Sequence, residues 1–345
     1  MAYYEESNLQ LKNIFKFYKS LNYTQDVCRQ VQLYSELALQ TTHVNRSSNL
    51  QCDCIVQTMP NEDFFILKNF LNETEIDALL LATLTQWCYL PSAKCNLGTT
   101  IKTNNLISCT DPFYMKLRWI TLGYHYQWSE RTYDPSKVGE LPALLSETTL
   151  NCIHFLGHLL KTGNISAYNS SQLLDKCQNY KPEAAIINYY RTKTTMGFHS
   201  DDAEVDKEAP LVSISIGPTA LFLLETSEPI QCQYVPIHAE SINEQIDYNS
   251  ILPIFLHHGD IIIMSGKSRL ARHAVPVIFF NTIPEVVSKL AERVSYTICV
   301  NSFNQNHTKD TCIHCKECWK YIESTRINMN VRQVMPVHRD DFEVR

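Results

Sequence analysis

The sequence predicts an α+β protein, helical in its first half and built from short antiparallel strands in its second. Apolar residues recur at helical spacing near the N-terminus, over 72–87 and over 141–160. From Ala184 onward, short runs rich in Val, Ile, Leu, Tyr and Phe are separated by polar turns, the pattern of an antiparallel sandwich or jelly roll. Of 345 residues, 44% are hydrophobic, which is enough for a substantial core, and 9 are glycine, too few for a glycine-rich repeat.

Leu11, Ile14, Phe15 and Tyr18 mark a first helix, and the polar run through Thr41, Asn45 and Ser48 reads as a linker. Residues 1–60 are therefore expected to be a helical arm and linker ahead of one domain over 61–345. Asn72 is a good N-cap with Glu75 three residues on, a capping-box start. Ile76, Leu79, Leu80, Thr83, Leu84 and Trp87 then keep one face of that helix apolar. Residues 118–128 are β-branched and aromatic and read as a strand, and 141–160 return to helix. Further strands are expected at 184–191, 211–216, 220–225, 260–265, 273–279, 294–300 and 327–334.

A formal charge of −6 rules out a polycation, so any nucleic-acid contact must come from local basic patches. No run approaches the roughly 20 apolar residues of a membrane span, and the start, Met1-Ala-Tyr-Tyr-Glu-Glu6, lacks the pattern of a secretory signal. Thirteen scattered cysteines fit reduced thiols better than a disulfide framework, so a soluble intracellular protein is expected.

Chemistry concentrates in Phe198-His199-Ser200-Asp201. On an extended strand, residues two apart share a face, so His199 and Asp201 converge on one point. With a third donor they form a two-histidine, one-carboxylate triad, which leaves positions open on a non-haem Fe(II). His273, at the start of a later strand, can supply it; His257 and His258 are rivals within what reads as a turn. Arg326-Ile-Asn328-Met-Asn330-Val-Arg332 alternates polar and apolar residues. An inward face with two arginines calls for an anion, and a dicarboxylate suits guanidinium forks. A solvated edge strand would show the same alternation. Asn188 and Tyr190 share a face on an earlier strand and could bond the same dicarboxylate. Arg293-Val-Ser-Tyr-Thr297 is a rival final strand without a second arginine. Cys312, Cys315 and Cys318, near His307 and His314, invite a zinc reading, although three close cysteines on one helix cannot all face one ion easily.

In this order, Asn188-x-Tyr190, His199-x-Asp201, His273 and Arg326-x-Asn328-x-x-x-Arg332 resemble the AlkB-type Fe(II)/2-oxoglutarate dioxygenases, most of all their homologue-one branch. The stretches 117–128, 211–217 and 258–266 are similar to that branch too, as is Phe15-Lys-Phe-Tyr18. The resemblance implies a double-stranded β-helix (jelly roll) core with supporting N-terminal helices. It implies Fe(II) on His199, Asp201 and His273. 2-Oxoglutarate would lie on Asn188, Tyr190, Arg326, Asn328 and Arg332, one arginine pairing its far carboxylate and the other steadying the end chelated to iron. The implied reaction uses O2, gives succinate and carbon dioxide, and removes an N-methyl group as formaldehyde. Asn330 stands where that family would have threonine, and the 226–250 loop looks longer than its equivalent.

On the substrate side, Arg118, Tyr124, Tyr126 and Trp128 share strand parity, with His125 on the other face. Aromatic faces can stack an extruded base, and the resemblance puts Tyr124, His125 and Tyr126 at a substrate-facing lid. Lys193, Lys267, Arg269 and Arg272 could form a basic rim. The expected activity is demethylation of bases in tRNA or single-stranded DNA, with a histone-directed oxygenase as the alternative. The expected protein is a monomer of the nucleus or mitochondrion, without membrane attachment.

Overall fold

A computed structural model describes residues 2–45, 53–98, 115–230, 248–280, 285–303 and 313–337. Two helices come first, α1 (Ala2–Lys19) and α2 (Gln25–Ala38), then strands β1 (Gln40–Asn45), β2 (Asp53–Met59) and β3 (Phe64–Lys68). Helix α3 (Glu73–Thr85) begins on the expected capping box: Asn72 Oδ1 accepts from Glu75 N at 2.9 Å, and Glu75 Oε2 accepts from Asn72 N at 2.8 Å. Strands β4 (Lys94–Cys95), β5 (Trp119–Gln127) and β6 (Thr132–Val138) precede helices α4 (Ala143–Lys161) and α5 (Ser170–Gln178). Seven strands follow before the next helix: β7 (Ala184–Tyr190), β8 (Met196–His199), β9 (Leu211–Ile216), β10 (Ala220–Glu225), β11 (Ile251–Leu256), β12 (Ile261–Met264) and β13 (His273–Ile278). Helices α6 (Glu285–Phe303) and α7 (Ile313–Glu323) and the strand β14 (Arg326–Arg332) complete the order.

Among the described residues the strands form two antiparallel sheets. The larger runs β1-β2-β3-β12-β9-β14-β7-β5-β4, with β6 added to β5, and the smaller runs β11-β10-β13-β8. Phe64, Ile66, Leu211, Ile262 and Met264 of the larger sheet pack with Phe222, Leu224, Leu252, Ile254 and Leu256 of the smaller. This sheet-on-sheet contact is the jelly-roll core. The opposite face of the larger sheet, through Ile187, Ile214, Ile327 and Met329, is covered by α3, α4, α6 and α7. The outer face of the smaller sheet, through Leu221, Leu223 and Ile251, takes Leu11, Ile14 and Tyr18 of α1 and Val27 and Val31 of α2. The N-terminal helices are thus a packed layer and not a loose arm.

Two expectations fail for physical reasons. The polar run from Thr41 is no linker up to Asn45: Thr41, Thr42 and Val44 are β-branched and pair with β2 as the last strand of the larger sheet, where polar side chains meet solvent. Residues 294–300 are helical, inside α6. Val287, Leu290, Ala291, Val294 and Ile298 are all buried at helical spacing, and that periodicity outweighs the local β-branched composition.

Strand β14 lies between β7 and β9, in the middle of the larger sheet and not at an edge. Its register pairs Arg326 with Tyr190 and Asn328 with Asn188. Gly123, at φ +68°, sits where β5 turns from pairing β7 to pairing β6, and a Cβ there would collide with the Glu183 carbonyl. Gly123→Ala should therefore destabilise by about 2 kcal/mol or more. Gly163→Ala, at φ +72° with nothing near its Cβ position, should cost only about 1 kcal/mol of conformational strain. Urea unfolding of the two variants measures the difference.

Candidate metal centre and anion pocket

His199 ends β8 and His273 begins β13, and the antiparallel register sets them directly opposite one another. Their ring centroids are 4.3 Å apart. Asp201 follows just past the end of β8, and its Oδ2 is 3.9 Å from His273 Nε2. One donor atom from each of the three lies within 4.8 Å of the others, and no other group of three or more such residues among those described does this. His199 Nδ1 is 2.9 Å from the Gly197 carbonyl and His273 Nδ1 is 3.1 Å from that of Ala271. A carbonyl only accepts, so each Nδ1 carries the hydrogen and each neutral ring keeps a lone pair on Nε2. Burial, then His199, pulls His273 down to about 4, against the opposing effect of Asp201. Two neutral imidazole nitrogens and one carboxylate oxygen suit a non-haem Fe(II).

Burial alone would raise the Asp201 carboxyl, but Arg332, His273, His199 and Arg269 together hold it well below the usual carboxylate range. Arg332 Nη2 donates to Asp201 Oδ2 at 3.2 Å, and its Nη1 donates to Glu204 Oε1 at 2.9 Å and to Tyr133 Oη at 3.1 Å. Arg269 Nη2 donates to Glu204 Oε2 at 2.9 Å, its Nη1 donates to the Asp201 carbonyl, and its Nε donates to the Ala209 carbonyl at 2.9 Å. Glu204 is likewise held below its usual range: burial opposes this, and Arg332 and Arg269 overcome it.

Arg326 stands at the other end of β14. It is 2% exposed, yet its partners are the Pro218 and Leu256 carbonyls, at 2.7 and 3.2 Å, and Ser215 Oγ at 2.7 Å. No carboxylate among the described residues forms an ion pair with it, and burial draws it down to about 10. Beside it, burial pushes the Tyr190 hydroxyl up to about 12, with Arg326 opposing. Asn328 Nδ2 donates to Ser213 Oγ at 2.8 Å, and Asn188 is buried opposite it. A buried guanidinium without an anion, flanked by amides and a phenol, fits one carboxylate of a small diacid.

A family model described as the 2OG-Fe(II) oxygenase superfamily matches residues 63–332. The chain belongs to that superfamily. The superfamily's cofactor, Fe(II), suits the donor set above, and its cosubstrate, 2-oxoglutarate, is a small diacid of the kind the anion pocket suits. The chain is 30% identical over 229 residues to the mouse "Nucleic acid dioxygenase ALKBH1", covering 65% of this chain and 48% of that protein. It is 32% identical over 225 residues to the fission yeast (Schizosaccharomyces pombe) "tRNA demethylase abh1", covering 65% and 54%. The Arabidopsis thaliana "DNA N(6)-methyladenine demethylase ALKBH1A" is 31% identical over 219 residues, covering 64% and 49%. The chain thus spans about half the length of these curated relatives.

For a superfamily member, the two arginines of β14 divide the work unequally. Arg332 is already taken up by two protein carboxylates, whereas Arg326 is bonded to none among the described residues. Tyr124, His125 and Tyr126 separate as well. Tyr126 packs edge-on against Tyr133 at 5.6 Å and Trp128 at 4.7 Å, and Tyr124 joins the same small cluster. His125 is buried elsewhere, with its Nδ1 2.8 Å from Thr121 Oγ1. The register shift next to Gly123 breaks simple alternation, so Trp119, of opposite parity, reaches Trp128 at 5.2 Å.

The expected basic rim is mostly absent. Arg269 is 1% exposed inside the ion network, and Arg272 is engaged in both directions by the Glu225 carboxylate. Lys193 and Lys267 remain at the surface. His258 accepts from Gly217 N at 3.1 Å and His257 Nδ1 is 3.1 Å from Thr219 Oγ1, so neither joins the triad. Arg293 pairs with Asp77 across α3 and α6, which removes the rival strand. Cys315 and Cys318 pack into different apolar clusters of α7. Cys312, His307 and most of the 226–250 loop lie outside the described residues.

Sequence reasoning missed Glu204 and misread Arg269. The available signal was an acid three residues past Asp201 and an arginine four residues before His273, each beside a ligand. Glu204→Gln should cost about 3 kcal/mol or more, because it leaves buried cations uncompensated. Pairing Glu204→Leu with Arg269→Met should recover part of that loss. Both carboxyls ionise more easily in the folded protein than in the unfolded chain. They therefore stabilise above a pH of about 4, and this is lost as pH falls through their folded values. Glu204→Gln should flatten the acid limb of the stability profile, read by urea unfolding at a series of pH values.

Proposed function

We propose that this chain is an oxidative demethylase of N-methylated bases in nucleic acid, tRNA or single-stranded DNA. The observation that carries the reading is the pairing of the His199–Asp201–His273 donor set with a buried Arg326 that no carboxylate among the described residues pairs with. The nucleic-acid substrate is supported by the relatives, whose names specify nucleic acid, tRNA and DNA.

His199, Asp201 and His273 would hold Fe(II). Arg326, Tyr190, Asn188 and Asn328 would hold 2-oxoglutarate, with Arg332 steadying the metal-side end through Asp201. Bound there, iron and 2-oxoglutarate supply with O2 the oxidising power that hydroxylates a substrate methyl group, giving succinate and carbon dioxide. The chain's own residues set the conditions. The carbonyls of Gly197 and Ala271 fix the tautomer of both histidines. Arg332 keeps Asp201 ionised and restrains its rotation, and the apolar contact between the sheets excludes water. The hydroxymethyl group left on nitrogen then breaks down to formaldehyde and the free base.

His199→Ala or Asp201→Ala should abolish succinate and formaldehyde release on methylated tRNA and DNA oligonucleotides. Arg326→Met should raise the 2-oxoglutarate concentration needed roughly 30-fold or more, the equivalent of about 2 kcal/mol for a lost charge-assisted contact. Arg293→Ala, bound to Asp77 on the far side of α3, should leave that concentration unchanged. Titrating 2-oxoglutarate against each variant tests the assignment. Equal dependence for wild type and Arg326→Met would displace the cosubstrate from β14. Formaldehyde released from methyl-lysine peptides but from no nucleic acid would replace the substrate class with a protein.

A further inference from the structure

Trp128 is 51% exposed, at the turn between β5 and β6. It is not an isolated surface residue. Its ring is propped by Trp119 at 5.2 Å, tilted 45°, and by Tyr126 at 4.7 Å, edge-on at 83°. Two aromatic supports hold the indole in one orientation while half of its surface stays in water. Tyr168, another strongly exposed aromatic, differs in that the Lys267 ammonium stands 4.7 Å from its ring centroid. Propping an indole in place while leaving its surface open makes sense if a flat apolar partner lands on it.

The support leads inward. Tyr126 packs on Tyr133, and Tyr133 Oη accepts from Arg332, the residue that holds Asp201. Three rings, Trp128, Tyr126 and Tyr133, and then the Arg332 guanidinium therefore connect the exposed indole to Asp201 of the candidate metal centre. Exposed basic residues flank Trp119 and Trp128 in sequence. Lys116 and Arg118 are exposed just before Trp119, and Arg131 is exposed three residues after Trp128 with Glu130 as the acid between. Burial pushes the Tyr126 hydroxyl up, with Arg131 opposing and Asp202 and Asp201 adding to it, so the turn's cation and the acids after β8 all act on that ring.

Accepting the demethylase reading, we propose that Trp128 is a stacking subsite for a base flanking the modified one, so that the substrate is an unpaired strand of several nucleotides and not a lone nucleoside or a duplex. The indole takes the face of the neighbouring base, and Lys116, Arg118 and Arg131 take the phosphates on either side. Base stacking on aromatic side chains is tolerant of sequence, because every base has a π-face, and paired bases within a duplex do not offer theirs. A lysine-rich peptide would need a clear excess of acids beside the indole, whereas Glu130 in the turn is followed directly by Arg131, and Lys116 and Arg118 precede Trp119.

The test uses the full chain without added metal, so that binding is read apart from turnover. A fluorescently labelled, unmodified single strand of about ten nucleotides is titrated by anisotropy, with tryptophan emission followed in parallel. The strand should quench part of the tryptophan emission, and Trp128→Phe should abolish that part while keeping affinity within about 3-fold. Trp128→Ala should weaken binding roughly 5- to 100-fold. The same sequence as a duplex should neither bind as tightly nor quench. If the wild type binds the strand and Trp128→Ala binds it equally well, the subsite is wrong and the demethylase reading stands. If the wild type binds no single strand, or if a lysine-rich peptide binds and quenches Trp128 instead, the subsite and the nucleic-acid reading both fall.

Discussion

Arg332 and Arg269 grip the Glu204 carboxylate from two sides, and Arg332 goes on to Asp201, so two cations and two anions leave water together. Each such charge buried alone would carry a penalty of several kcal/mol, and the set is tolerable only because it is balanced and hydrogen-bonded. The network also joins distant parts of the chain. Arg332 comes from the end of β14, Arg269 from the turn before β13, and Asp201 and Glu204 from the segment after β8. That segment has no strand partner of its own at Asp201. Its position is set by ion pairs and by the Arg269 contact to the Asp201 carbonyl. The metal-side carboxylate is therefore placed by electrostatics, whereas the two histidines are placed by strand register.

The fold was legible where one force acted alone. The capping box at Asn72, the apolar runs of β7, β9, β10 and β12, and the polar alternation of β14 each follow from local pattern. The pattern misled where two signals competed. Val294, Ile298 and Val300 look like a strand in composition, but only when Val287, Leu290 and Ala291 are counted with them does the helical period emerge. The edge strand β1 failed in the opposite sense, since an edge needs little apolar content and its Thr-rich sequence resembles a linker.

At the site, motif order brought His199, Asp201 and His273 together and put Arg326 and Asn328 opposite Tyr190 and Asn188, because residues two apart on strands share a side. The ion network was hidden for a different reason. An aspartate, an aspartate and a glutamate within 201–204 look like a solvated acidic turn, and Arg269 among Lys267 and Arg272 looks like a solvated basic one. Only the tertiary fold brings the two together and removes the water. The packing of residues 119–128 was partly legible. The aromatic residues were visible, but the break in alternation beside Gly123 depends on a backbone conformation that strand parity cannot anticipate.

The asymmetry between Arg326 and Arg332 follows from this balance. Within the network, two arginines meet two carboxylates, so it adds no net charge to the pocket. Arg326 remains, buried among carbonyls and a serine, with no carboxylate in contact with it among the described residues and only Asp260 acting on it from farther away. A divalent cation on the triad adds to that positive charge, and a dicarboxylate reduces it. Each of the two ligands therefore improves the electrostatic setting for the other. By linkage, whatever factor the diacid contributes to metal affinity, the metal returns to the diacid.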